Sequence, residues 1–192
     1  IEAAMAAFET DDGFIAAALE VRGKIGPLEI EEKGNRDTLS LCMIVKNEQP
    51  NLVRCLSSVK AAVDEIIVVD TGSTDRTKDI AAVFGAKVFD FAWDEDFSHA
   101  RNFSLSKAGG NWILVIDADE TVSSRDHERL RSLIRKSPKG IGGYDLTTRN
   151  YVIEPNTAGW TANDGSYRDE EAGTGWYPNL KVRLLRRDPR IC

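Results

Sequence analysis

Two aspartates, Asp117 and Asp119, stand two residues apart just after the apolar run Trp112–Ile116. In extended backbone, side chains at i and i+2 project to the same side, so both carboxylates can face one point in space. Carboxylates so placed repel unless a cation joins them, and oxygen ligands suit the hard divalent ions Mg2+ and Mn2+. An ion held by one or two carboxylates completes its shell with water and substrate phosphates, which points to a substrate that carries a diphosphate. The alternative is that Asp117 and Asp119 cap the helix that follows. Polar residues gather after three other apolar runs as well. Lys46-Asn47-Glu48 follows Leu39–Val45, and Asp70-Thr71-Gly72-Ser73-Thr74-Asp75 follows Glu65–Val69. An acidic and aromatic stretch, Trp93-Asp94-Glu95-Asp96-Phe97, follows Ala86–Phe91 and leads into Arg101-Asn102. Gly72 permits a tight turn, and a helix opened by Ser73 or Thr74 would offer its N-terminus to polar or anionic groups. Asp70 can accept hydrogen bonds from a nucleobase imide. Arg101 is a fixed cation suited to phosphate oxygens, or else a partner in an exposed helix salt bridge.

The apolar runs themselves dictate what positions these groups. Leu39–Val45, Glu65–Val69, Ala86–Phe91 and Trp112–Ile116 read as strands without polar alternation. Between them lie helical periods: Leu52, Cys55, Leu56 and Val59 with Pro50 in the first turn; Ile80, Val83 and Phe84 after a Ser73 or Thr74 cap; and Phe97–Lys107. Ser123, with Asp126 three residues on, opens a further helix carrying Leu130, Leu133 and Ile134. Buried strands separated by helices mean an α/β domain, a mostly parallel sheet with helices on both faces. Such sheets bind ligands beyond the carboxyl ends of their strands, where the polar groups lie.

Three regions are expected. Residues 1–38 form a helical lead-in, broken at Asp11-Asp12-Gly13, and a linker over Gly23–Asp37; this is either the end of a preceding domain or the first helices of the same one. Residues 39–148 form the ligand-binding core. That core ends in a strand over Gly143–Thr148, and residues 149–192 begin a further, acceptor-side region, with a polar loop over Asn150–Tyr177 and a basic strand over Lys181–Arg187. Trp160 and Trp176 in that loop can stack on sugar faces or close as a lid, or simply pack the loop down.

Composition sets the limits. With 192 residues and 42% hydrophobic content, the chain can build a substantial core. Its net charge of −6 argues against lying along a nucleic acid, and no apolar run reaches the length of a membrane helix. Cys42, Cys55 and Cys192 match no metal-ligand spacing, and the first two sit in apolar patterns, which suits a reducing, cytoplasmic compartment. His99 and His127 are too scattered for zinc. Neither GxGxxG nor GxxxxGK[ST] occurs.

The blocks Ser40–Glu48, Val68–Asp75, Phe97–Asn102 and Ile116–Glu120, in this order and spacing, resemble the family 2 glycosyltransferases over about Leu39 to Thr121. The resemblance implies a GT-A fold and inverting, metal-assisted transfer of a sugar from a nucleotide diphosphate donor, commonly UDP. It implies that Lys46, Asn47, Glu48, Asp70 and Thr71 line the base and ribose pocket, and that Arg101 lies near the diphosphate. Asp117 would sit near ribose and metal, and Asp119 would be the main ligand of Mn2+ or Mg2+. The acceptor would be a saccharide, a lipid-linked molecule or a protein.

Such enzymes carry their general base well downstream of the paired aspartates. Asp164, Asp169, Glu170 and Glu171 have suitable chemistry, but none falls where the family leads one to expect it. The chain begins at Ile1 and stops at Cys192 just after a strand-like run, so it reads as a piece of a longer protein with its base beyond Cys192. Two other readings stand beside this one. The domain can be a non-catalytic nucleotide-sugar-binding or scaffolding module. Ile116–Val122 also fits the start of a haloacid-dehalogenase-like phosphatase, with Asp117 as nucleophile, although Thr147 and Lys181 would then lack a later acidic pair.

Overall fold

A computed structural model describes residues 11–30, 37–154 and 158–188. Helix α1 (Asp12–Ile25) comes first and is capped by Asp11, whose carboxylate accepts from the N–H of Phe14. There follow β1 (Leu39–Val45), α2 (Gln49–Val59), a single 3₁₀ turn, β2 (Glu65–Asp70), α3 (Thr77–Val83), β3 (Lys87–Asp90) and α4 (Phe97–Ser106). The chain continues through β4 (Trp112–Val115), α5 (Ser124–Lys136), β5 (Gly143–Val152), β6 (Thr161–Ala162) and β7 (Gly175–Arg186).

The strands form one seven-stranded sheet in the order β3-β2-β1-β4-β7-β5, with β6 on β7. β1 pairs in parallel with both β2 and β4, β2 pairs in parallel with β3, and β7 runs antiparallel to β4, β5 and β6. The sheet is therefore the expected mostly parallel one, closed on one side by an antiparallel ribbon. Chain direction across it reverses beside β1: β2 and β3 build to one side and β4 returns to the other. That switch point is where open α/β sheets form their ligand crevice.

β1 divides its residues between two cores. Leu39, Leu41, Met43 and Val45 join Ile66, Val68, Trp112 and Leu114 beneath α1, α2, α3 and α5. Cys42 faces the other way, with Ile67, Ile113 and Val115 against Leu105 and Ala108 of the α4 segment. Each large side chain so buried contributes roughly 1.5–3 kcal/mol. α1 shares the larger core through Ile15 and Ala18, and the Arg22 Nε–H donates to the carbonyl of Val83 at 2.8 Å.

Three local expectations need correction. Ser73 and Thr74 do not cap α3, which starts at Thr77 with Arg76 in the cap position, because both residues are bonded to Asn47 instead. α1 runs on through Gly23 to Ile25, into the stretch expected to be linker; the helical pattern over residues 1–10 and most of the charged run 29–33 lie outside the described residues. The polar loop is shorter than Asn150–Tyr177, since β5 extends to Val152 and β7 begins at Gly175, pairing directly.

At the amino ends of the strands a buried carboxylate ties the parallel sheet together. Glu65 accepts from the Ser40 hydroxyl (2.6 Å), the Gly109 N–H (2.8 Å) and the Lys87 ammonium (2.9 Å). Burial alone would raise this carboxyl, but the bonds from Ser40, Gly109 and Lys87 outweigh it and hold it below the ordinary glutamate value. A depressed carboxyl stabilises the fold above its unfolded value of about 4.3 and loses that contribution as pH falls further. Glu65→Gln should cost about 2 kcal/mol in urea unfolding at pH 7, and the gap to wild type should narrow at pH 3.5.

Candidate active site

The polar residues predicted from sequence meet at the carboxyl ends of β2, β1 and β4. Asn47 follows β1 with φ 56°, the left-handed region that asparagine tolerates better than most residues. Its N–H donates to the Ser73 hydroxyl at 2.8 Å, and its Oδ1 accepts from the N–H of Thr74 at 2.8 Å. The Glu48 N–H donates to the Thr77 hydroxyl (2.8 Å), the Gln49 N–H to Asp75 (3.2 Å), and the Arg76 N–H to the Gln49 side chain (3.1 Å). The loops after β1 and β2 are thereby laced into one rim. Burial would raise the carboxyl of Asp75, but bonds from Thr77 and Gln49 lower it overall.

Asp70 ends β2 at 1% exposure. Its Oδ1 accepts from the N–H groups of Gly72 (3.0 Å) and Ser73 (2.8 Å), a turn that Gly72 makes at φ 106°. Its Oδ2 is buried with no hydrogen-bond partner among the described residues. Thr71 is also buried, with its hydroxyl donating to the Val45 carbonyl, so the side chain braces β1. Lys46 is exposed, and the Glu48 carboxylate accepts from the Asn51 amide at 2.9 Å.

Beyond β4, Asp117 lies between two arginines. Arg101 of α4 places Nη2 3.5 Å from Oδ1, and Arg183 of β7 places Nη2 3.2 Å from Oδ2. Arg101 is thus no exposed helix salt bridge: it reaches across to a strand end, and its Nη1 is buried without a partner among the described residues. Burial pulls its guanidinium below the ordinary arginine value, opposed by Asp117. Glu120 turns back to accept the Asp117 N–H at 2.9 Å and takes Arg183 on its other oxygen at 2.5 Å. Asp119 is exposed, and its carboxylate has no hydrogen bond or ion pair among the described residues, while its carbonyl accepts from Arg54 at 3.1 Å. Neither aspartate caps α5; Ser123 does.

Arg183 and the bracing role of Glu120 escaped sequence reasoning. The available signal was an arginine flanked by Val182 and Leu184 within the basic run Lys181–Arg187. Also unforeseen was Cys55, whose thiol lies 3.7 Å from the Asp117 carbonyl. Burial, with Glu120, Asp119 and Asp117 nearby, pushes it up to about 12 against the pull of Arg54.

Downstream, the aromatic residues pack the loop down. The Arg149 guanidinium lies over the rings of Tyr167 (4.4 Å) and Trp176 (4.3 Å), and Trp160 sits against Gly175. Glu170 accepts from the Ser123 hydroxyl at 2.7 Å, and the Tyr167 hydroxyl donates to Asp126 at 2.9 Å, docking the loop on the start of α5. Asp164 is held below the ordinary aspartate value by the Ser166 hydroxyl and N–H. Glu171 accepts the Tyr167 N–H, and Asp169 is exposed.

Among the described residues no three His, Cys, Asp or Glu side chains converge as a metal cage. The donor set at the end of β4 is two carboxylates, one of them unpartnered. It fits a hard ion that shares its shell with substrate phosphates, and it does not fit zinc.

Comparison with known proteins gives the family. The profile described as Glycosyl transferase family 2 matches residues 40–184. The chain belongs to that family. The match runs from β1 through β7, well past the Thr121 limit set by the sequence blocks, and it sets the phosphatase reading aside. A TPR repeat-containing protein of Synechococcus elongatus is 54% identical over 94 residues, which are 49% of this chain and 23% of the relative. The SPbeta prophage-derived glycosyltransferase SunS of Bacillus subtilis is 37% identical over 106 residues, 54% of this chain and 25% of the relative. The matched part thus spans about a quarter of these relatives. A mannosyltransferase from Pyrobaculum calidifontis, solved with GDP-Man and Mn2+, shares the fold at TM-score 0.50 and 16% identity, covering 91% of this chain and 52% of that one. No helix among the described residues is long and apolar enough to cross a membrane.

Two variants test the family 2 rim. Asn47→Gly removes the side-chain bonds but keeps the backbone conformation, whereas Asn47→Ala loses both, so Ala should destabilise by about 1 kcal/mol more than Gly in chemical unfolding. In the folded protein at pH 8, Cys55 should resist iodoacetamide and become labelled only on unfolding, as read by mass spectrometry.

Proposed function

We propose that this domain binds a nucleotide diphosphate sugar, UDP-linked in the first instance, and transfers its sugar with inversion to an acceptor, assisted by Mn2+ or Mg2+. The observation that carries the reading is the pairing of two unfinished polar sites across β1: the bare Oδ2 of Asp70 at the end of β2, and Arg101, Asp117 and Asp119 at the end of β4. Strands two places apart are separated by about 10 Å, a span that suits a base at one site and a diphosphate at the other. A buried carboxylate oxygen calls for a hydrogen-bond donor, and the ring N–H of uracil supplies one; guanine has an equivalent ring N–H, whereas cytosine and adenine offer only their exocyclic amino groups. The GDP-Man bound by the Pyrobaculum enzyme keeps guanine as the alternative base.

In this reading Lys46, Asn47, Glu48 and Thr71 shape the base and ribose pocket, Asn47 and Thr71 by bracing its rim. Arg101 turns its unpartnered Nη1 toward the diphosphate. Asp119, with Asp117, holds the divalent ion, whose bound charge would stabilise the departing nucleoside diphosphate. The acceptor hydroxyl attacks the anomeric carbon from the face opposite the leaving group and gives its proton to a carboxylate base. Asp164, Glu170 and Glu171 are held by Ser166, Ser123 and Tyr167 and Asp169 is exposed on the loop; in this reading the base lies in sequence beyond Cys192. The acceptor is a saccharide, a lipid-linked molecule or a protein. The buried thiols Cys42 and Cys55 support a reducing, cytoplasmic setting.

Thermal unfolding with UDP, GDP, CDP or ADP, each with and without Mn2+, tests the reading. A nucleotide at 100 times its Kd should add about 2.7 kcal/mol. The expected result is a Mn2+-dependent shift with UDP that is lost in Asp119→Ala and at least tenfold weaker in Asp70→Asn. A shift with none of the four would refute the donor site.

A further inference from the structure

We propose that Arg183 is a positioning residue for the metal-facing carboxylate: it locks the turn from Asp117 to Glu120 so that Asp119 is the side chain presented to the divalent ion. The inference rests on the donor-site reading above and adds to it a residue remote in sequence.

Three observations carry it. First, the pairing of β7 with β5 steps from Leu184 opposite Tyr144 to Val182 opposite Asp145, so Arg183 is the extra residue of a β-bulge. Bulges re-aim side chains and gather beside active sites. Second, Arg183 is 5% exposed between Val182 and Leu184, and its Nε is buried without a partner among the described residues. Burying an imperfectly satisfied guanidinium is destabilising compared with an apolar side chain of the same size, so stability alone does not account for it. Third, its Nη2 joins two acids of one turn, Asp117 at 3.2 Å and Glu120 at 2.5 Å, while Nη1 lies 3.5 Å from the Val115 carbonyl. Glu120 in turn holds the Asp117 N–H, and the Glu120 N–H returns to the Asp117 carbonyl at 3.0 Å. The ring of contacts fixes the turn at both ends and occupies two of its three carboxylates. The third, Asp119, is left exposed.

The sign of a mutational effect separates positioning from simple charge. A cation acting only through its field would weaken Mn2+ binding, so its removal would tighten that binding. A residue that orders the ligand turn does the opposite. Partners that orient metal ligands typically contribute 10–100-fold to affinity. The experiment uses the full-length protein and compares wild type with Arg183→Lys, Arg183→Met, Glu120→Gln and the double variant Arg183→Met with Glu120→Gln. Unfolding midpoints are measured without metal, and the apparent Mn2+ Kd is measured with UDP or GDP present. Arg183→Met should raise that Kd at least tenfold, with Arg183→Lys intermediate. Without metal, the two single losses should not add: the double variant should be no less stable than the worse single one, yet should keep the weakened Mn2+ binding. Unchanged or tighter Mn2+ binding in Arg183→Met, or a Kd that recovers along with the melting temperature, would overturn the proposal. If wild type itself showed no Mn2+-dependent nucleotide binding, the donor-site reading would fall first and this inference with it.

Discussion

A strand covered on both faces can carry polar side chains only at its ends, and β1 is such a strand. Its residues face the α1–α2–α3–α5 core on one side and the α4 core on the other, so the polar chemistry of the parallel sheet collects in two rows. The amino-end row holds Ser40, Glu65, Lys87 and Gly109; the carboxyl-end row holds Asn47, Asp70 and Asp117. What separates them is saturation. Glu65 uses both oxygens on partners within the protein and has only a fold to support. At the opposite end Asp70 keeps one oxygen bare, Arg101 one nitrogen, and Asp119 its whole carboxylate. A buried polar group left incomplete is costly, and that cost is reasonable where a ligand completes it.

The end of β4 is also an electrostatic problem that the fold solves from a distance. Asp117, Asp119 and Glu120 crowd three negative charges into four residues. Three arginines answer them, each from a different element: Arg54 from α2, Arg101 from α4 and Arg183 from β7. Cys55 registers the same field, because its thiol is held protonated by burial and by those acids. Arg101 and Arg183 pair with carboxylates of the turn and Arg54 with one of its carbonyls, so the turn is held from three directions.

The antiparallel ribbon outruns the parallel strands. β4 pairs with only the last part of β7, at Leu184–Arg186, whereas β5 and β7 stay paired as far as Val152 and Gly175. The ribbon therefore continues past the carboxyl end of β4, on the side where Asp70 and Asp117 stand. Its tip is tied to α5 through Tyr167 and Glu170. Trp176 and Tyr167 both pack against the Arg149 guanidinium, which holds the ribbon and its loop together.

The sequence by itself determined the α/β class, the four parallel strands, the helices between them, and the residues that would stand at the strand ends. Those features follow from local rules: apolar runs without alternation, 3.6-residue periodicity, and polar residues excluded to the strand termini. It read less well wherever a local signal had a distant competitor. Ser73 and Thr74 are good caps by type, but Asn47, 26 and 27 residues away, claims them. The loop over Asn150–Tyr177 looked polar and open, yet cross-strand pairing with β5 carried β7 back to Gly175. The tertiary structure alone decided that Asp117 is clamped while Asp119 stays exposed, since the clamp comes from Arg183, 66 residues further along. Residue type and spacing carry no trace of that choice, because which of two like carboxylates is neutralised depends on where another strand delivers its charge.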